Sequence, residues 1–97
     1  MIRHTVAFRL RHPDGSPEEA SFLLEASKLA HIPSVRNFES LRQVSDKNPY
    51  LFGLSMEFDD PLGYQAYNDH PDHVEFVRDR WKNEVTDYIE IDYQPIH

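Results

Sequence analysis

Between Ile2 and Leu10 apolar residues fall on alternate positions: Ile2, Val6, Phe8 and Leu10 share a register with His4, while Arg3, Thr5, Ala7 and Arg9 hold the other. A period of two predicts a half-buried strand and carries His4 onto its apolar face. His12-Pro13-Asp14-Gly15 has turn chemistry, and Ser16-Pro17-Glu18-Glu19 reads as a capping box with proline at the first helical position. The helix it opens is expected to reach Ala30, drawing its inward residues from Ala20, Leu23, Leu24, Ala26 and Ala30, with Phe22 and Leu29 widening the stripe, and to stop before Ile32-Pro33.

Val35 to Val44 alternates less cleanly, with Phe38, Leu41 and Val44 set among Arg36, Glu39 and Arg42, which predicts a strand carrying an irregularity. A loop, Ser45 to Pro49, leads to the clearest strand, where Tyr50, Phe52, Leu54, Met56 and Phe58 alternate. Asp59-Asp60-Pro61 then caps a helix running through Leu62 to Asn68. Pro71 has no N–H for the carbonyl of Tyr67 and biases His70 away from helical angles, so that helix must break there. A new helix can start at once, with Asp69 or His70 as N-cap and Asp72 in its first turn. Its expected stripe is Val74, Val77, Trp81 and Val85. Tyr88 to Tyr93 closes the chain as a strand with Ile89, Ile91 and Tyr93 on the apolar side.

The order β-α-β-β-α-β predicts an α+β domain over residues 1–97, a four-stranded antiparallel sheet with its helices on one face. Val6, Phe8, Leu10, Phe52, Leu54, Met56, Ile89 and Ile91 are expected beneath the helices. The other face would hold Arg3, Thr5, Ala7, Arg9, Leu51, Ser55, Glu57, Tyr88, Glu90 and Asp92. Basic residues on the first strand and acidic ones on the third and fourth could pair across a two-fold axis, so a homodimer through the sheet face is expected.

Composition narrows the partners. The 97 residues carry a formal charge of −7, which argues against a nucleic-acid partner because phosphate binding needs clustered cations. No cysteine is present, hence no disulfide, thiolate nucleophile or cysteine-based zinc site. No secretory leader and no apolar run of membrane-spanning length is read in the chain, so the expected location is the cytoplasm.

Candidate chemistry gathers around Pro71, in Tyr64, Tyr67, His70 and His73. His73 stands within a turn of a helix start, flanking the buried stripe, where a neutral imidazole could accept a proton; Asp69, Asp72 and Glu75 pull the other way. Tyr67 could place its hydroxyl near a polarised carbonyl and stabilise a developing enolate. The bland alternatives are capping histidines and a core tyrosine. Tyr64 is assigned to packing. His70 and His73 with Asp69 or Asp72 have the ligand types of a metal site, but His70 sits at the break and shares no helix face with His73, so no metal is expected. Isolated glycines exclude a phosphate-cradling loop, and no cofactor is implied.

Ile2-Arg3-His4-Thr5-Val6, Pro33-x-Val35, the apolar third strand, Tyr67-x-x-His70-Pro71-x-His73 and Ile91-Asp92-Tyr93 together resemble the stress-responsive α/β-barrel (Dabb) family over nearly the whole chain. The resemblance implies a ferredoxin-like protomer pairing by its sheet into a dimeric α+β barrel. Some members of that family are cofactor-free polyketide cyclases; by resemblance their catalytic tyrosine and histidine fall on Tyr67 and His73, and a pocket histidine on His4. Some plant members hold magnesium on backbone carbonyls after the first helix, a region similar to Leu29 to Val35. The expected pocket lies between sheet and helices, lined by His4, Phe8, Tyr67, His73 and Trp81, with His70 also contacting the ligand. Two readings follow: a stress-response type protein that binds a small hydrophobic or carbonyl-containing molecule or acts through assembly, and a cofactor-independent cyclase or lyase in which His73 and Tyr67 manage an enolate. A cofactor-free monooxygenase is an outlying third.

Overall fold

A computed structural model describes residues Met1–His97. Strand β1 (Ile2–Leu10) is followed by helix α1 (Pro17–Ser27), which tightens into a 3-10 turn (Lys28–His31), then by strands β2 (Arg36–Arg42) and β3 (Phe52–Phe58). Helix α2 (Pro61–Asp69) stops at His70, and α3 (Pro71–Phe76) begins beyond it. That second helix continues through a π-turn (Val77–Trp81) and a final turn (Lys82–Glu84) into strand β4 (Val85–Tyr93). The strands lie in the order β2-β3-β1-β4, each antiparallel to its neighbours. This is the ferredoxin-like α+β arrangement.

Local chemistry sets the boundaries. Gly15 takes the turn before α1 at φ 74, a left-handed angle that suits glycine. Ser16 caps α1 by accepting from the Glu19 amide, and Asp60 caps α2 by accepting from the Gly63 amide at 2.8 Å. His70 is the N-cap of α3, its Nδ1 accepting from the Asp72 amide. The irregularity expected in β2 is a register shift between Arg36 and Glu39, with Asn37 in the left-handed region at φ 50.

Phe8, Phe22, Met56 and Phe58 are fully enclosed between helices and sheet, with Val6, Leu54, Ala26 and Leu29 beside them. The α1 stripe is therefore Glu19, Phe22, Ala26 and Leu29; Ala20, Leu24 and Ala30 are exposed, against expectation. Glu19 can turn inward because its carboxylate accepts from the Gly15 amide. In the second helix Phe76, packed 5.3 Å from the Phe22 ring, takes the place expected of Val74, which is exposed. The π-turn rotates the last turns so that Trp81 lies 5.1 Å from Phe8.

The largest correction concerns β4. It pairs with β1 as His4↔Asp92, Val6↔Glu90 and Phe8↔Tyr88, so Tyr88, Glu90 and Asp92 look toward the helices, while Ile89 and Ile91 sit across from Ala7 and Thr5 on the outer face. The cause is a bulge: the register slips between Arg9↔Asp87 and Leu10↔Val85, leaving Thr86 as an extra residue. Val85 points inward with Leu10, and the odd-numbered residues after Thr86 point outward. Because alternate residues face opposite sides, one added residue exchanges the whole set. The outer face of the sheet then presents Ala7, Leu41, Ile89, Ile91 and Tyr93, with Ile89 and Ile91 45% and 42% exposed. Arg3 and Glu57 on this face pair with each other within the chain at 2.8 Å. The molecule's shortest dimension, 18 Å, is that of one sheet and one helix layer. No helix is long and apolar enough to cross a membrane.

Candidate functional site

Two helices cover β1 and β3, and the β4 side is left open enough for a cavity of about 390 Å³. Its walls include His4 from β1, Tyr64 and Tyr67 from α2, His73 from α3, Trp81 from the π-turn, and Tyr88 and Glu90 from β4. Four of the six residues expected around a ligand, His4, Tyr67, His73 and Trp81, thus meet in one space. Phe8 and His70 do not line it. Phe8 is 0% exposed, packed among Phe22, Phe52 and Trp81, because its register position lies under the helices where the core is densest. His70 is committed to capping α3.

Tyr67 and His73 stand side by side across the Pro71 break, ring centroids 4.3 Å apart. The helix geometry does this: α2 ends two residues after Tyr67, His70 is extended, and α3 restarts at Pro71 with His73 in its first turn. His73 Nδ1 lies 3.1 Å from the carbonyl oxygen of Asn68. A carbonyl can only accept, so Nδ1 carries the proton and Nε2 keeps the lone pair. Burial is the main influence on His73 and lowers its pKa below 6.5; the Asn68 carbonyl opposes this, His4 adds to it, and Glu90 opposes it. The carboxylates of its own helix, weighed in the sequence, are not among the influences.

A pH dependence follows. Because the folded pKa lies below the unfolded one, the unfolded chain binds the extra proton at this site first as pH falls. His73 therefore costs no stability well above 6.5 and an increasing amount as pH drops through that value, levelling off below the folded pKa. Urea midpoints measured from about pH 7.5 down to about pH 5.5 should fall further for the wild type than for His73→Gln, which has no proton to bind there. Parallel pH profiles for the two proteins would contradict the assignment.

Tyr67 is 3% exposed, and burial raises its phenol well above the ordinary value, with Tyr64 and Glu90 acting in the same direction. It remains a hydrogen-bond donor throughout the accessible pH range.

His4, 6% exposed, belongs to a second group. Its Nδ1 lies 2.6 Å from Asp92 Oδ1 and 2.9 Å from the Tyr64 hydroxyl, and that hydroxyl donates to Asp92 Oδ2 at 2.9 Å. A carboxylate accepts from both, so Nδ1–H of His4 points at Asp92 and the ring is fixed. Tyr64 also stacks on Phe58 at 4.9 Å, nearly parallel. Sequence reasoning assigned Tyr64 to packing alone and turned Asp92 and Glu90 outward. The available signal was the inward register of His4, whose ring needs a polar partner in a buried setting, and Asp92 directly opposite can supply it.

The site holds no cluster of three or more His, Cys, Asp or Glu side chains placed to bind a metal. The carbonyl-bound magnesium implied for Leu29 to Val35 does not fit either. Leu29 and Ile32 carbonyls accept from the Ile32 and Val35 amides, and the Arg36 guanidinium donates to the Pro33 and Val35 carbonyls at 2.6 and 3.2 Å. The Arg36 cation on two of these carbonyls disfavours a divalent ion beside them.

A model of the stress responsive A/B barrel domain family (Dabb) matches residues 2–95. Among solved structures, a Dabb family protein with a ferredoxin-like fold from Mesorhizobium loti is 57% identical, with a TM-score of 0.96, over 99% of this chain and 97% of that one. A dimeric ferredoxin-like protein of unknown function from Thermobifida fusca is 26% identical, with a TM-score of 0.78, over 97% and 90% of the two chains. A hydroxynitrile lyase from Passiflora edulis shares the fold at 12% identity and a TM-score of 0.82, over 95% and 90%. No curated protein matches the sequence.

Proposed function

Because the chain belongs to the stress responsive A/B barrel (Dabb) family, we propose that it works as a homodimer whose cavity takes a small carbonyl compound and moves a proton at the carbon alpha to the carbonyl, without a cofactor. The observation that carries this reading is the adjacency of Tyr67 and His73, rings 4.3 Å apart in the wall of one cavity. His73 Nε2 is the base that takes the proton from carbon. Tyr67, held protonated by burial, donates a hydrogen bond to the oxygen on which enolate charge develops. His4, oriented by Asp92, forms the third polar wall. An enolate made this way can attack an internal carbonyl or reverse such a step, which is the chemistry of a cyclase or lyase.

The second copy is expected on the outer sheet face. Ile89, Ile91, Leu41 and Ala7 give that face an apolar strip, flanked by the paired Arg3 and Glu57 and by Arg9 opposite Asp87, which a second copy of the same surface can meet.

A binding protein without turnover is the second reading. The mutual hydrogen bonding of His4 Nδ1, Asp92 and Tyr64 favours it, since such a network also serves as a rigid wall. Proton NMR in heavy water separates the two. The wild type should exchange the acetyl hydrogens of aryl methyl ketones such as 2,4-dihydroxyacetophenone for deuterium. His73→Ala and Tyr67→Phe should both abolish this while keeping the melting temperature close to wild type. Ligand-raised melting temperatures with no exchange above the buffer rate would select the binding reading.

A further inference from the structure

Strand β4 is one residue too long for the stretch of β1 it covers. Its pairing runs from Leu10↔Val85 to His4↔Asp92, six steps along β1 against seven along β4, and Thr86 is the surplus. Polar anchors hold both ends of that stretch. At the start, the Glu84 carbonyl accepts from the Arg11 amide at 2.9 Å. The Glu84 carboxylate accepts from His12 Nε2 at 2.6 Å and from the Arg80 guanidinium, which also reaches Ser21 on α1 at 3.2 Å. The His12 and Glu84 side chains are mostly buried. At the far end Asp92, half-exposed, accepts from His4 Nδ1 and the Tyr64 hydroxyl.

A second register competes with this one. Continued from Leu10↔Val85 without a bulge, the ladder would set Thr86 opposite Arg9, Ile89 opposite Val6 and Ile91 opposite His4, bringing both isoleucines to the helix-facing side. That register closes the ladder over Thr86 and buries, within one chain, two residues that now stand half-exposed. The cavity of about 390 Å³ on this side of β4 offers them room. Tyr88 and Glu90, which line it, would turn to the outer face with Asp92. Glu84 precedes the bulge and keeps its partners in either register, whereas Asp92 meets His4 and Tyr64 only in the bulged one. We propose that β4 is a two-register strand in which Asp92, by its grip on His4 and Tyr64, selects the bulged register, so that the open cavity and the apolar outer face exist together and are lost together. A ligand in the cavity and a second copy on the outer face then favour the same register, which couples them positively. The two registers stand on the strand pairing alone; the coupling rests on the homodimer reading.

Cross-strand backbone NOEs in the isotope-labelled full chain read the register. The wild type and Asp92→Asn, which keeps an acceptor for His4, should connect Ala7 with Ile89 and Thr5 with Ile91. Asp92→Ala should instead connect Ala7 with Tyr88 and Thr5 with Glu90, and should be monomeric by light scattering where the wild type is dimeric. Tyr64→Phe removes one of the two bonds to Asp92 and covers the case of an Asp92→Ala chain that does not fold. It should show the second register as a minor state of about 1–10% by saturation transfer at Ile89 and Ile91. Wild-type pairing retained in folded Asp92→Ala, the new pairing in Asp92→Asn, or no minor state in Tyr64→Phe overturns the proposal. The new pairing in a chain that still dimerises leaves two registers and overturns the coupling. A monomeric wild type with the expected NOE changes removes the homodimer and leaves the two registers standing.

Discussion

Phe8→Ala is expected to lower unfolding stability by about 3–5 kcal/mol, read from urea or thermal unfolding. The residue is fully enclosed, with the rings of Phe22, Phe52 and Trp81 between 5.1 and 5.8 Å away. Truncation removes the aromatic surface and leaves a hole that three tilted neighbours on three different elements cannot close together. A domain of this size has about 5–15 kcal/mol in total, so much of the population should be unfolded at modest temperatures. The same substitution distinguishes core from pocket. Had Phe8 lined the cavity, its loss would weaken ligand binding and leave folding almost intact; a drop of less than about 1 kcal/mol would contradict the packing described here.

Ile91→Asp is expected to keep the chain monomeric where the proposed homodimer would form, measured by light scattering behind size exclusion. Ile91 lies on the outer face between Ile89 and Tyr93. In an assembly through this face each copy would bury an aspartate among apolar residues, with Arg3, the cation nearest in register, already engaged by Glu57 and Arg9 placed further along the strand opposite Asp87. The melting temperature of the wild type should rise with protein concentration, and that of the variant should not. A wild type that elutes as a monomer with a concentration-independent melting temperature would remove the sheet-to-sheet pairing.

The sequence announced most of the fold because its strongest signals are local. The alternation of β1 and β3, the Ser16 and Asp60 caps and the break at Pro71 each depend on a few neighbouring residues, and each is found where expected. Tyr67, His73 and His4 were legible for a similar reason: a strand register and a proline fix where they point. The misplaced residues lie where geometry between elements decides. In α1, a stripe one position out of phase still looks amphipathic, because leucines and alanines surround it on both sides. In β4, alternation alone places Ile89 and Ile91 beneath the helices with the other apolar strand residues. They belong to the outer face, and on the other side Glu90 consequently lines the cavity while Asp92 meets His4. The phase of that strand is set by the bulge at Thr86, which no hydrophobic pattern encodes.

That single unpaired residue gives β4 two jobs that cannot be altered separately by changing its length. Dropping the bulge at Thr86 would swing both isoleucines against the helices and send the acids outward, so an ancestral loss of it would rewrite the outer face and the cavity wall at one stroke. Substitutions, by contrast, can tune either side alone. Diversification within such a scaffold should therefore proceed by exchange of side chains along the last strand, with its residue count held fixed.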